Sequence, residues 1–467
     1  MTQALDSLRE RCRLAGHEYL LDHWERLDAS QRDELAAQIK HLDLEQIALA
    51  RSAVDTQVDW NAAAMRADPP EAVRLGQSYR GVSPEDARRI GGEAIAAGRV
   101  AMILVAGGQG TRLGFDLPKG MFPIGPVSGR TLFEMHVDSL RGAMKRYGVS
   151  IPMLIMTGPS TDAPTREYFA KNNRLGLRED ELFIFEQGTM PALDQATGRI
   201  LLEAPHRIAL SPDGHGGIVA ALDRSGLLDM AAARGIDLFF YAQVDNPLVT
   251  ACDPLLIGYH LLAASQMTTQ VVKKRFAKER VGNVVQVDGK TQIIEYSDLP
   301  DAAAEQCNAE GSLKLWAGNI AVHVFDVDFL KQHATGTHGL PFHQARKAVP
   351  YVDAAGTLHK PSAPNAIKLE RFVFDLLPLA DRTLVVEGDA SQVFAPVKNA
   401  EGAPTDTPSA AKQALVALHK QWLREAGCVV ADDAKVEIHP LCAWDAEEVR
   451  SKYSQPIPID ADTYLID

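Results

Sequence analysis

Two basic residues stand within a short glycine-rich run, Val105-Ala106-Gly107-Gly108-Gln109-Gly110-Thr111-Arg112-Leu113-Gly114, followed by Pro118-Lys119-Gly120. Glycines let a backbone come close to a charged ligand and turn its N–H groups toward phosphate oxygens. Ala106, Gly107 and Gly108 are the residues whose backbone would do so, and Arg112 and Lys119 add two positive charges. The run follows Val100 to Val105, an apolar stretch that reads as a buried strand. A loop of this kind at the end of a parallel strand suits a polyphosphate. The competing reading is a tight strand-to-helix turn with an incidental arginine; two cations in so short a loop favour phosphate. The spacing Gly108-x-Gly110-x-x-x-Gly114 departs from the dinucleotide fingerprint, and Pro118 before Lys119 departs from the P-loop.

Other residues could do chemistry elsewhere. Asp245 ends the apolar stretch Leu238 to Ala242, where a carboxylate could hold a divalent cation such as Mg2+ against a phosphate. It could equally cap the next helix near Asp253-Pro254. Ser211-Pro212-Asp213-Gly214-His215-Gly216-Gly217 is a second glycine-rich turn. It could bring backbone to a base or sugar, or be a flexible surface loop in which His215 is merely polar. Lys368, Lys398 and Glu295 taken singly read as solvated charges or a satisfied strand-edge residue.

The elements that must position these residues alternate. Ser83-Pro84 opens a helix and Thr131 to Glu134 forms a capping box for another that runs to Tyr147. Ile151 to Met156, Leu182 to Phe185 and Leu238 to Ala242 read as strands, and Ile218 to Arg234 as mostly helix. Val284 to Glu295 reads as a hairpin turning at Asp288-Gly289, and Thr407-Pro408 starts a helix ending near Ala426. In the N-terminal part, Leu8, Cys12, Ala15, Tyr19 and Leu20 recur at helical spacing, and a second helix starts at Ala29. Beyond Gly427 the pattern is short and β-like, punctuated by Pro440 and Pro456. The expected division is a helical segment over 1–75, an α/β domain with a mostly parallel sheet over 76–426 and a small β-rich domain over 427–467.

The chain has 467 residues and a net charge of −13, which argues against a nucleic-acid or membrane surface. Its five cysteines are scattered without metal-type spacing, and neither a leader-like N-terminus nor a membrane-length apolar run is present. These features predict a soluble, cytoplasmic protein.

The motifs together resemble the eukaryotic-type UDP-N-acetylhexosamine pyrophosphorylases, within the wider UTP:sugar-1-phosphate uridylyltransferase family. In order they are the 107–114 loop with Pro118-Lys119-Gly120-Met121, Gln187-Gly188, Pro212-Asp213-Gly214, Val244-Asp245-Asn246, Val281-Gly282 with Glu295-Tyr296-Ser297, Ala317-Gly318-Asn319, Ile367-Lys368 and Pro396-Val397-Lys398-Asn399. The resemblance implies a Rossmann-like nucleotidyltransferase domain and substrates UTP and a sugar 1-phosphate. It implies that Arg112 and Lys119 act on the triphosphate, and that Gln187 and the Gly214 backbone read the uracil edge. Glu295 and Asn319 would bind the sugar, Asp245 would bind Mg2+, and Lys368 and Lys398 would neutralise the sugar phosphate and the α-phosphate.

His215 departs from the family pattern. Hexosamine enzymes usually carry Asn there, and His is typical of the UDP-glucose enzymes. The resemblance therefore points first to N-acetylglucosamine 1-phosphate, with glucose 1-phosphate or broad sugar tolerance as the alternative. A non-catalytic nucleotide-sugar binding protein would be expected to lack Asp245 or one of the basic groups, and all are present.

Overall fold

The computed structural model describes residues 2–52, 59–334, 340–455 and 457–466. Pro456 and residues 53–58 of the expected N-terminal helical segment lie outside the described residues. The chain forms two compact units that interleave along the sequence: Met1–Asp59, Gln187–Ala220 and Thr337–Asp375 make one, and Trp60–Glu186, Ala221–Gly336 and Leu376–Asp467 the other.

The larger unit is built on a ten-stranded sheet. Its main path runs Ala72–Val73, Thr383–Glu387, Met267–Lys273, Ala317–Asp326, Leu238–Gln243, Val100–Val105, Met153–Thr157 and Leu182–Glu186. Along this path only Ala317–Asp326 runs antiparallel to its neighbours. The hairpin Asn283–Val287 and Lys290–Ile294 branches from it and turns at Asp288-Gly289. Central parallel strands are covered on both faces, which explains the unbroken apolar run at 100–105. The strand expected from Ile151 begins instead at Met153. Pro152 lacks an N–H for the ladder, and its carbonyl accepts from Met102 N–H at 2.9 Å.

The helices obey their caps. The Ser83 side chain accepts from Asp86 N–H and starts Pro84–Ala96. Thr131 and Glu134 exchange capping-box bonds at the start of Leu132–Tyr147, which stops at left-handed Gly148. Thr407 caps Pro408–Glu425. The C-terminal strands 429–430, 436–438, 458–459 and 463–465 pack with that helix around Leu423, Val436, Ile438 and Val449. A short helix, Ala446–Lys452, joins them; its Asp445 cap accepting from Glu448 N–H is a signal that the sequence reading passed over.

In the smaller unit the helices Thr2–Leu14 and Ala29–His41 share a core with the 187–220 and 369 segments through Leu8, Cys12, Leu35, Ile39, Met190, Ile208 and Leu369. Tyr19 Oη and Gln38 Oε1 accept from Ile200 and Ile208 N–H at 2.6 and 2.8 Å. The first helix stops at Leu14 because Gly16 adopts a left-handed φ of 72°. Tyr19 and Leu20 therefore belong to a separate 3-10 turn, Glu18–Leu21, rather than to that helix.

In the larger unit, helices Pro84–Ala96 and Pro254–Ala263 approach backbone to backbone. A Cβ on Gly91 would run into the Pro254 carbonyl, and one on Gly258 into the Ala87 carbonyl. Backbone cannot swing aside as a side chain can. Gly91→Ala is expected to lower stability by about 1–3 kcal/mol, the range for overpacking. A urea midpoint equal to wild type would contradict this packing.

Candidate functional site

In the larger unit, candidate residues gather at the carboxyl ends of the 100–105 and 238–243 strands. Ala106 N–H donates to the Met156 carbonyl at 2.8 Å, and the glycine-rich loop then folds back on itself. Gly110 N–H donates to Leu117 O at 3.0 Å and Lys119 N–H to Gly108 O at 3.1 Å. Gly114 turns the loop with a φ of 69°, a conformation that favours glycine. The fold-back brings Lys119 opposite Gly108, and Lys119 Nζ lies 3.7 Å from Asp245 Oδ2 with both side chains largely buried. Arg112 is exposed and pairs with no carboxylate among the described residues.

Asp245 is not the cap of the following helix. Asp253 fills that role, its Oδ1 accepting from Leu255 N–H at 2.9 Å. The backbone around Asp245 is held on several sides. Val244 N–H donates to Val105 O at 3.0 Å, and Val397 N–H donates to Asp245 O at 2.8 Å. His136 Nε2 lies 3.1 Å from Val244 O. Burial pushes the His136 imidazole down to about 4, so it is neutral at pH 7 and donates to that carbonyl.

Lys398 follows Val397 directly. Its N–H and that of Asn399 both donate to Asp406 O, at 2.8 and 3.0 Å, and its Nζ lies 5.8 Å from the centre of the Phe394 ring. Burial raises the pKa of the Asp406 carboxyl, while Lys398 acts to lower it.

Glu295 and Asn319 come together at Gly282. A Cβ there would lie 2.9 Å from Glu295 Oε1 and 3.7 Å from Asn319 Cβ, and Asn319 N–H donates to Gly282 O at 2.8 Å. The strand carrying Asn319 is bulged. Its pairing with Met267–Lys273 shifts register after Val322, leaving Ile320 and Ala321 unpaired, with Ala321 at φ 55°. Such a bulge re-aims the neighbouring side chains. Asn319 Oδ1 accepts from Ala321 N–H at 3.0 Å, which leaves its amide N–H groups as donors.

The smaller unit holds Gln187, Gly214, His215 and Lys368. Gln187 is buried, and the next residue, Gly188, accepts from Asp213 N–H at 3.0 Å. Strands Thr189–Pro191 and Leu210–Pro212 continue that pairing. Arg371 N–H donates to Asp213 O at 2.7 Å, and Gly216 N–H to Arg371 O at 2.8 Å. Gly214 has a φ of 84°, and a Cβ there would strike the Arg371 backbone, so the turn requires glycine. Lys368 stands half-buried on the Ala366–Glu370 strand, opposite Ala345.

The 211–217 turn is not a flexible surface loop. His215 Nδ1 accepts from Val373 N–H at 3.1 Å, and its ring stacks on Phe372 with centroids 5.2 Å apart. Burial, aided by nearby His343, pushes the His215 imidazole down to about 4. The neutral ring, accepting at Nδ1, carries its proton on Nε2, which makes it a hydrogen-bond donor. His343 itself sits 2.8 Å from Asp375 Oδ2.

Sequence reasoning missed His136 and the stacking of Phe372 on His215, and it named Asn246 only as a motif residue, without its bonds to the 393–395 segment. Asn246 directly follows Asp245, but its partners lie about one hundred and fifty residues away, beyond the reach of any local pattern.

Residues 43–450 match the family model described as UTP–glucose-1-phosphate uridylyltransferase. The chain is 35% identical to the human UDP-N-acetylhexosamine pyrophosphorylase-like protein 1, over 97% of this chain and 97% of that protein. It is 34% identical to the UDP-N-acetylglucosamine pyrophosphorylase of Saccharomyces cerevisiae, over 93% of this chain and 94% of that protein. The crystal structure of the uridine diphosphate N-acetylglucosamine pyrophosphorylase from Trypanosoma brucei, in complex with inhibitor, superposes with a TM-score of 0.82 at 28% identity, covering 98% of each chain. A phosphate-suited loop at a parallel strand end, on a fold shared along nearly the whole length, is thus matched by sequence over most of the chain, which belongs to the UTP–glucose-1-phosphate uridylyltransferase family.

Proposed function

We propose that this nucleotidyltransferase joins UTP to N-acetylglucosamine 1-phosphate, releasing pyrophosphate and forming the UDP-sugar. The observation that carries the reading is the Lys119–Asp245 pair at the mouth of the glycine-rich loop. It sets a cation and a metal-suited carboxylate side by side where a parallel sheet binds ligands. The identities to relatives named for N-acetylhexosamine and N-acetylglucosamine support the choice of sugar.

The proposed chemistry needs no general base. A phosphate monoester has a second pKa of about 6, so the attacking oxygen is already largely ionised at pH 7. That oxygen forms a bond to the α-phosphorus of UTP in line with the bond to the β-phosphate oxygen, which breaks as pyrophosphate leaves. The barrier is repulsion between anions and the charge growing on the leaving group, and fixed cations and oriented N–H groups lower it. In this reading the backbone of Ala106, Gly107 and Gly108, with Arg112 and Lys119, grips the triphosphate. Lys368 and Lys398 neutralise the sugar phosphate and the α-phosphate. Gln187 and the Gly214 backbone read the uracil, while Glu295 accepts from and Asn319 donates to sugar hydroxyls.

Asp245 also fits the proposed Mg2+. Among the described residues no cluster of three or more His, Cys, Asp or Glu could hold an ion alone. A single carboxylate completed by phosphate oxygens and water is the usual setting for this hard cation. When bound, Mg2+ supplies further positive charge against the phosphates.

His215 favours a second reading, glucose 1-phosphate, because its ring offers substrate only the Nε2–H donor, where the Asn usual in the hexosamine enzymes would offer an acceptor as well. We place the reaction in the cytoplasm. The five cysteines, all present as free thiols, support this.

Pyrophosphate release from UTP and Mg2+ separates the sugars. N-acetylglucosamine 1-phosphate is expected to exceed glucose 1-phosphate and galactose 1-phosphate in kcat/KM by on the order of tenfold, a difference of about 1.4 kcal/mol. A preference for glucose 1-phosphate would overturn the sugar assignment, and no release with any of the three would overturn the function. Arg112→Ala and Lys119→Ala are each expected to slow turnover by more than about tenfold with the circular dichroism spectrum unchanged. Near-wild-type rates in the folded variants would remove those residues from the triphosphate grip.

A further inference from the structure

The segment Val393 to Val397 is a short strap leading to Lys398, and it is fastened to the exit of the Leu238–Gln243 strand. Asn246 supplies most of the fastening. Its Nδ2 donates to the Val393 carbonyl at 2.7 Å, and its Oδ1 accepts from Ala395 N–H at 3.0 Å. One side-chain amide thus satisfies a carbonyl and an N–H two residues apart, as a neighbouring strand would. Asn246 is 2% exposed, so these bonds are made out of water. Pro396 then offers no N–H, and the next donor, Val397 N–H, goes to the Asp245 carbonyl at 2.8 Å. The clamped stretch includes Phe394, the ring that faces the Lys398 ammonium.

The turn at Lys398 is braced separately. Lys398 and Asn399 N–H donate to Asp406 O, and Asn399 Nδ2 donates to Thr405 O at 2.9 Å. These bonds shape the turn itself. The fastening to the strand exit comes from Asn246 and the Asp245 carbonyl, and its effect is to set where that turn lies relative to the Asp245 carboxylate.

We propose that Asn246 is a positioning residue for uridylyl transfer, holding Lys398 at a fixed offset from Asp245 so that both meet the same phosphates. It acts through Lys398 and touches no substrate. Aspartate cannot replace it, because a carboxylate keeps the acceptor for Ala395 N–H but faces the Val393 carbonyl without a proton to donate. The inference rests on the phosphate role of Lys398 in the proposed function.

A double-mutant cycle on the full-length protein tests it, with kcat measured per folded molecule for wild type, Asn246→Ala, Lys398→Ala and the double variant. Asn246→Ala is expected to lower kcat by roughly tenfold, the effect of losing buried hydrogen bonds. In the Lys398→Ala background the same change is expected to cost less than about twofold, because the group it positions is gone. A purely structural role would lower thermal stability and leave the two effects on kcat independent. Asn246→Asp runs the same cycle if the alanine variant does not fold. Equal fold-losses in both backgrounds, or turnover within about twofold of wild type for the folded Asn246 variant, would overturn the positioning role. Wild-type turnover in Lys398→Ala alone would instead overturn the phosphate role of Lys398, and this inference with it.

Discussion

The carboxylate of Asp245 can face the ammonium of Lys119 because the backbone on either side of it is already engaged. Val244 is bonded to Val105 and His136, the Asp245 carbonyl to Val397, and the Asn246 side chain to Val393 and Ala395. A strand exit without such partners would fray and carry its carboxylate with it. Here the carboxylate projects from a corner braced by these bonds. That corner meets the glycine-rich loop through Lys119 and the strap leading to Lys398 through Val397. Fixing charge before substrate arrives is what lowers a barrier dominated by electrostatic repulsion, because no reorganisation is left for the transition state.

Much of this was legible in the sequence where one local rule decides the outcome. The apolar runs at 100–105 and 238–242 read as buried strands and form them, and the caps at Ser83, Thr131 and Thr407 mark their helices in the structure. The glycine-rich run and its two cations suggest phosphate by residue type, while the glycine spacing matches neither the dinucleotide fingerprint nor the P-loop. What escaped depends on partners far away in the chain. Asn246 carries no local mark of a clamp, since its partners are near 394. The bulge that aims Asn319 places an alanine, Ala321, at positive φ, where sequence would suggest glycine. The grouping of the first helices with residues 187–220 and 337–375 is likewise invisible to a reading that moves along the chain.

His215 shows how structure can change the weight of a residue without settling its role. As a sequence feature it was either a sugar ligand or a polar residue on a loose loop. Its stacking on Phe372 and its bond to Val373 remove the loose loop. They also use one ring nitrogen, so any contact with substrate would come from Nε2 alone, as a donor. An asparagine at that place would offer both a donor and an acceptor. The difference between the two sugar readings is thereby reduced to one acceptor.

The most direct measurement of the central claim is the turnover of Asp245→Asn against wild type across a Mg2+ titration, with UTP and N-acetylglucosamine 1-phosphate saturating. The substitution keeps the shape of the side chain and removes its charge. If the strand-end carboxylate is where metal and phosphate meet, kcat falls by more than about tenfold and the Mg2+ requirement moves to higher concentration. Wild-type turnover with an unchanged Mg2+ dependence would contradict the account.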